Sequence, residues 1–397
     1  MQRVYTILLT LIVFQLLLLV VAAMKGFYKY FLMSEKDLLE RYGGKGSWVV
    51  ITGASSGQGY ELALACANRG FHLLLIGSKR TDKTVAQIKT EYPDVKTKVI
   101  YKDFRQAFEE DFFTEIQVAF DEIGDNLAIL INNVGHRVGW KPYHEMKAEY
   151  IRDVIATGTI VQSRLTHMAI PYFLNRKSAS AAGTSASGTG AAEKKSALIN
   201  ITAQCMHPNF LFGLTMSNEI SVPYLSVYEA ANAFGFYHGN SIYKEYQGQF
   251  DILNITPGAV ITENTSCLTG TLFHVSSKTF VKQIMKLIGN VQGTTCAYWG
   301  HALSNYLINL MPLMKDGMLK KVGETIAADF MGKGVPPYNP HWGGEYIDKD
   351  LGGDIGGDIR EDIGGDLVKD LGKDLGKDLG KDLREDRVVS GAPKGGL

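Results

Sequence analysis

From Thr52 to Gly59 the chain reads Thr-Gly-Ala-Ser-Ser-Gly-Gln-Gly, directly after an apolar run rich in β-branched residues and directly before the helical pattern Tyr60 to Asn68. Glycines at a strand-to-helix turn let the backbone come close to a pyrophosphate. The helix N-terminus adds unpaired N–H groups and the positive end of its dipole. The chemistry this suits is dinucleotide binding, with Thr52, Gly53, Ser55, Gly57 and Gly59 forming the cradle. A plain tight loop is the competing reading, and the position between strand and helix speaks against it. Asp103, just past a third strand, is placed to accept from an adenine amino group, or else is a solvent-facing aspartate. No metal is expected: the nine histidines form no HExxH-like spacing, and Cys66, Cys205, Cys267 and Cys296 lack any short paired spacing. Scattered cysteines of this kind fit a reducing compartment.

The elements that must carry these residues follow from hydrophobic pattern. Trp48 to Thr52, His72 to Gly77, Thr97 to Tyr101, Leu127 to Asn132, Ala197 to Ile201 and Phe250 to Ile255 read as strands, separated by helix-length segments. That alternation predicts an α/β fold, a Rossmann-type doubly wound parallel sheet with helices on both faces, over residues 46–330. An Ala/Ser/Gly/Thr-rich stretch at 176–195 has almost no large apolar side chain and is expected as an inserted surface loop. Residues 331–397 form a low-complexity C-terminal tail. Within it, Ile347 to Asp386 repeats a four-residue unit (LGGD, IGGD, IRED, LGKD) with 13 acidic and 7 basic residues. Its glycines and its drift around a helix argue for disorder, the alternative being an extended segment laid on a protein partner. The spacing does not match an EF-hand calcium loop. Over the whole chain Lys plus Arg equals Asp plus Glu at 41 each, so no nucleic-acid partner is indicated.

Ahead of all this, Val4 to Met24 is apolar apart from Tyr5, Thr6, Thr10 and Gln15. About 21 such residues suffice to cross a bilayer as a helix. Residues 1–25 are therefore expected as a transmembrane anchor and 26–45 as a linker, a cleavable signal peptide being the competing reading. Lys25 and Lys29 follow the span while only Arg3 precedes it, which places the following domain in the cytosol. The sequons at Asn200, Asn254 and Asn264 would matter only on the lumenal side.

TGASSGQG resembles the TGxxxGxG turn of short-chain dehydrogenases/reductases, and Asn132-Asn133-Val134-Gly135 resembles their NNxG motif, which props the central sheet. The NNVG form, the N-terminal anchor and the stretch Lys278 to Met318, with its apolar Ala297 to Met314, resemble the membrane-bound 3-ketoacyl-CoA reductase and 17β-hydroxysteroid dehydrogenase branch. The resemblance spans about residues 25 to 330. It adds Asn132, Gly135, Pro257 and Gly258 to the cofactor-binding set. It also implies that Ser78-Lys79-Arg80, at the end of the second strand, meets a 2′-phosphate, so that NADP is favoured over NAD. An endoplasmic-reticulum membrane is the implied location, with a mitochondrial membrane as the alternative, and a homodimer is a further expectation.

In such enzymes a Tyr delivers the proton, an adjacent Lys lowers its pKa, a Ser orients the carbonyl, and an Asn completes a water path. Tyr228 matches the Tyr of YxxxK, but the Lys position is Asn232 and the Ser position is Ala203. The Asn position falls near Gly158, and Ala203 and Tyr228 stand 25 positions apart, a wider gap than the family's, so the substrate mouth is expected to be remodelled or covered. Two readings follow. The first is a dinucleotide-binding relative that is catalytically weak or inactive and serves as a subunit of a membrane complex. The second is an active NADPH-dependent reductase of 3-ketoacyl-CoA or steroid-like ketones, using Tyr228 with unconventional helpers such as Thr202 or His238; Thr202 and Ser226 are the stand-ins for the Ser, neither in the expected register.

Overall fold

The computed structural model of the chain describes residues 2–136, 138–187, 194–203, 209–211, 214–216, 221–262, 265, 271–310, 317–321, 323–325 and 328. The repeat tail, with the protein partner expected for it, lies outside the described residues, as do Cys205, Cys267 and the Asn264 sequon.

Seven parallel strands make the central sheet: β1 (Trp48–Thr52), β2 (His72–Gly77), β3 (Thr97–Tyr101), β4 (Leu127–Asn132), β5 (Ala197–Ile201), β6 (Asp251–Ile255) and β7 (Gly293–Thr295), in the order β7-β6-β5-β4-β1-β2-β3. The six strands expected from the hydrophobic pattern all form. The seventh was hidden because Gly293-Thr294-Thr295 has three residues and no large apolar side chain. Along each central strand alternate residues face opposite sides. Val49, Ile51, Leu73, Leu75, Ile129 and Ile131 enter one core, covered by α2 (Gly57–Ala67) and α8 (Ser277–Leu287). Val50, Leu74, Ile76, Leu130, Leu198 and Ile252 enter the other, covered by α4 (Thr114–Ile123) and α6 (Val161–Ser187). Each such side chain contributes about 1.5–3 kcal/mol on burial. The other helices of eight or more residues among the described residues are α1 (Gln2–Phe27), α3 (Thr81–Glu91), α5 (Ala148–Ile155), α7 (Ser226–Glu245) and α9 (Trp299–Leu310).

Two expectations change. The segment from 176 onward, read as a surface loop, begins as a continuation of α6, which stays helical to Ser187. Alanine is the strongest helix former, and the absence of large apolar side chains does not by itself break a helix already nucleated by the packed turns before it. Residues 26–45 are not a free linker. A π-helical turn, Tyr28–Leu32, continues α1, Leu38 and Tyr42 are fully buried in the first core, and Arg41 and the Tyr42 hydroxyl both bond the Asp251 carboxylate, at 2.7 and 2.8 Å.

The two described sequon asparagines are built into the sheet. Asn132 Nδ2 donates to Asn200 Oδ1 at 2.9 Å, and Asn200 Nδ2 donates to Asn254 Oδ1 at 2.8 Å, a ladder across β4, β5 and β6 in which Asn200 and Asn254 are each 0% exposed. Gly239 of α7 permits the approach to Asn254, since a Cβ there would collide with the amide.

Candidate active site

Strand order reverses between β1 and β4, and the crevice at that switch point is where open α/β sheets bind ligands. A cleft of about 970 Å³ opens there, running from the glycine turn after β1 to α7. Gly53 and Gly57 hold φ of +71° and +57°, a region side-chain-bearing residues avoid, and a Cβ on Gly59 would collide with the Gly53 carbonyl oxygen. Ser55, Ser56 and Gln58 complete this end of the cleft, at the N-terminus of α2.

The expected cofactor residues divide into those that face the cleft and those that stand behind it. Gly53, Ser55, Gly57, Gly59, Lys79, Asp103, Gly135, Pro257 and Gly258 line it. Thr52 and Asn132 do not. The Thr52 hydroxyl accepts from Asn133 N and Val134 N, both at 3.0 Å, and Asn132 is spent on the asparagine ladder and on Thr166. It is Asn133 that reaches the glycine turn, its Nδ2 donating to the carbonyls of Thr52 and Gly53 at 2.9 and 3.3 Å. Asn132 is the last residue of β4 and bonds within the sheet, whereas Asn133 follows it in the turn that approaches Gly53. Arg80 is exposed and outside the lining, which leaves Lys79 as the basic residue of that turn at the cleft. Asp103 lines the cleft, but its carboxylate is held by Arg105 Nε at 2.8 Å. Burial alone would raise this carboxyl; the bonds from Arg105 outweigh burial and hold it below the ordinary carboxylate range.

At the far end Tyr228 and Asn232 of α7 face Thr202 and Ala203 beyond β5. Asn232 Nδ2 donates back to the Tyr228 carbonyl at 2.8 Å, so its amide is turned along its own helix. The lysines that line the cleft, Lys79, Lys102, Lys141 and Lys147, all come from segments other than α7. The buried Thr202 hydroxyl donates to the Ile255 carbonyl at 3.2 Å. Neither Ser226 nor His238 belongs to the lining; His238 stacks on Phe234 instead, and burial lowers its pKa. The wide gap between Ala203 and Tyr228 contains an antiparallel pair, Asn209–Leu211 with Leu214–Met216, and the rest of it lies largely outside the described residues.

The sequence reading missed Thr157 and Gln162. Between α5 and α6 a π-helical turn, Ala156–Ile160, interrupts the helix, a feature frequent at functional sites. Gly158 lies in it close to Ala231 of α7. One turn onward Gln162 enters the cleft with Thr157, and Thr157 Oγ1 and Gln162 Nε2 are buried without a partner among the described residues. The i, i+4 relation of Gln162 to Gly158 was the available signal.

The short chain dehydrogenase family profile matches residues 47–197. The very-long-chain 3-oxoacyl-CoA reductase of Emericella nidulans is 27% identical over 284 residues, 68% of this chain and 71% of that protein. The bovine (Bos taurus) very-long-chain 3-oxoacyl-CoA reductase is 29% identical over 266 residues, 65% of this chain and 73% of that one. Among solved structures, a Sphingobium yanoikuyae short-chain dehydrogenase in complex with NADPH superposes with a TM-score of 0.50 at 22% identity, covering 67% of this chain and 95% of that one. A 7β-hydroxysteroid dehydrogenase superposes with a TM-score of 0.52 at 16% identity, covering 68% and 93%. The structural likeness is one of fold.

Proposed function

Because this chain belongs to the short-chain dehydrogenase/reductase superfamily, in its 3-ketoacyl-CoA reductase branch, we propose that it is a membrane-anchored NADPH-dependent reductase of 3-oxoacyl thioesters. The observation that carries this reading is the single cleft joining the glycine turn to Tyr228. The backbone N–H groups at the start of α2 would hold the pyrophosphate, and Lys79 the 2′-phosphate that distinguishes NADP from NAD. Bound there, the dinucleotide supplies the hydride. Tyr228 is the proton donor to the carbonyl oxygen, and Thr157 and Gln162 offer the buried polar atoms that orient it in place of the family Ser and Asn. The single apolar N-terminal helix supports a membrane location, for which the branch suggests the endoplasmic reticulum with the domain on the cytosolic side.

A second reading rests on Asn232 and Ala203. With an amide bonded to its own helix where the branch has a cation, and a methyl where it has a hydroxyl, the chain would bind dinucleotide as a subunit of a membrane complex with little turnover of its own. The two separate on NADPH oxidation driven by long-chain 3-oxoacyl-CoA. The reductase reading expects turnover that falls by about 10²- to 10⁴-fold in Tyr228→Phe, the usual worth of a general acid. NADPH binding with no substrate-driven oxidation in wild type beyond that of Tyr228→Phe favours the subunit reading; equal, substantial turnover in both removes Tyr228 as the proton donor.

A further inference from the structure

On α9 the usual burial is inverted. His301 and Asn305 face inward, 1% and 6% exposed, while Tyr306 and Leu307 stand 40% and 43% exposed. A helix on a water-facing surface does the reverse. The polar face is bonded in place: His301 Nδ1 accepts from Gly258 N at 3.1 Å, and His301 Nε2 lies 3.1 Å from the Ala259 carbonyl oxygen. Packing at Gly300 sets the Leu272 carbonyl against the start of the helix, and the Leu272 and Phe273 side chains are exposed beside it. From Leu287 to Met314 the sequence holds no Asp, Glu, Lys or Arg.

The end of α1 supplies an independent observation. Its π-helical continuation is bonded to the residues that lead into α9, with Lys29 Nζ donating to Thr295 Oγ1 at 2.9 Å and the Tyr30 hydroxyl to the Cys296 carbonyl at 3.1 Å. The Phe27, Phe31 and Trp299 rings follow one another at 5.2 and 6.2 Å, carrying an aromatic row from the apolar span onto α9. Aromatic rings are enriched at the headgroup level, where one end is apolar and the other wet. The end of the apolar helix is thus tied to this face with no free linker between them.

We propose that α9 and the adjoining turn around Leu272 and Phe273 lie on the bilayer as a second membrane contact, with Tyr306 and Leu307 in the headgroup–acyl boundary. The occupant of this face is lipid rather than a second copy of the chain, because the aromatic row is continuous with the end of the span and the stretch carries no charge. Through His301 this helix also supports the Pro257–Val260 wall of the cleft. The proposal rests on α1 being a membrane span.

The test uses the full-length chain with its native cysteines changed to Ala, a bimane label on Leu307→Cys, and phosphatidylcholine/phosphatidylserine vesicles carrying nitroxide-labelled acyl chains. Strong quenching at position 307, none for the same label on Lys89→Cys of α3, and loss of quenching when Tyr306→Asp is added are expected, with every variant retained after alkaline carbonate extraction. Retention without quenching at 307 overturns the proposal and leaves the anchor standing. Disulfide-linked dimers through the unlabelled Leu307→Cys, again without quenching, give the face to a second copy and also overturn it. Release of the wild-type chain by carbonate removes the anchor reading, and the proposal with it.

Discussion

At the residue scale the site is decided by side chains that are absent as much as by those present. Gly57 sits at φ +57° with Thr262 against it, so Gly57→Asp combines backbone strain with a carboxylate beside the pyrophosphate. The expected outcome is loss of NADPH binding by titration calorimetry with the circular dichroism unchanged; unaltered affinity would make the turn a structural feature only. Asn232 is the second decisive position. Its amide bonds the Tyr228 carbonyl, a contact any short polar side chain can make within a helix, and it supplies no charge to the neighbouring phenol. Asn232→Lys together with Ala203→Ser is expected to raise NADPH-dependent reduction by about 10²-fold or more, the worth of restored acid catalysis, provided the mouth admits substrate. No gain would place the obstacle in the enlarged segment between Ala203 and Tyr228. Thr52 and Asn132 teach a narrower lesson: the first was read into the cradle from the glycine turn and the second was added to the cofactor set by the resemblance, and both bond the scaffold behind the cleft.

At the element scale two polar arrangements hold the site together. The asparagine ladder joins three central strands at the ends that carry the cleft, and Asn200 is its middle rung, accepting from Asn132 and donating to Asn254. Asn200→Ala leaves the buried Asn254 Oδ1 without its donor and Asn132 Nδ2 with Thr166 alone, and is expected to cost on the order of 1–3 kcal/mol in urea unfolding. A change below the error of that measurement would mean that the ladder is dispensable. His301 links α9 to the loop after β6, and burial depresses its pKa to about 4 from an ordinary value of 6.5. The neutral ring is the folded form, so the stability it supplies is present above pH 6.5 and is lost as pH falls toward 4, where the unfolded chain takes up the proton first. The melting temperature of wild type should fall across that window more steeply than that of His301→Gln; parallel curves would show that the ring does not titrate with unfolding.

At the scale of the whole molecule, cofactor and fold are coupled. A ligand that binds only the native state stabilises it by RT ln(1 + [L]/Kd), about 2.7 kcal/mol at a hundredfold excess over Kd. NADPH is expected to raise the melting temperature of the full-length protein in detergent, and NADH to raise it less, because Lys79 at the cleft has a 2′-phosphate to meet only in NADPH. Equal shifts would remove Lys79 from discrimination. The apolar N-terminal helix belongs to the same whole: Lys29, Tyr30, Leu38, Arg41 and Tyr42 fasten the residues that trail it to β6, β7 and the first core, so a truncation after residue 25 keeps these contacts while one after residue 45 strips a wall from that core.

The strands from Trp48 to Ile255, the parallel sheet and the glycine turn were legible in the sequence because each depends on local periodicity, on strand and helix alternation, or on a backbone conformation only glycine takes freely. The register that sets Asn232 and Ala203 at the Lys and Ser positions was counted along the sequence from Tyr228, and it belongs to the proposed function. What tertiary structure alone decided was direction and partnership: that Asn133 rather than Asn132 faces the turn, that Asp103 is bound to Arg105, that Gln162 enters the cleft one turn beyond Gly158, and that α9 keeps its polar face inside. Each of these depends on residues brought together from distant parts of the chain, and pattern along a single chain does not encode which distant neighbour a side chain will meet.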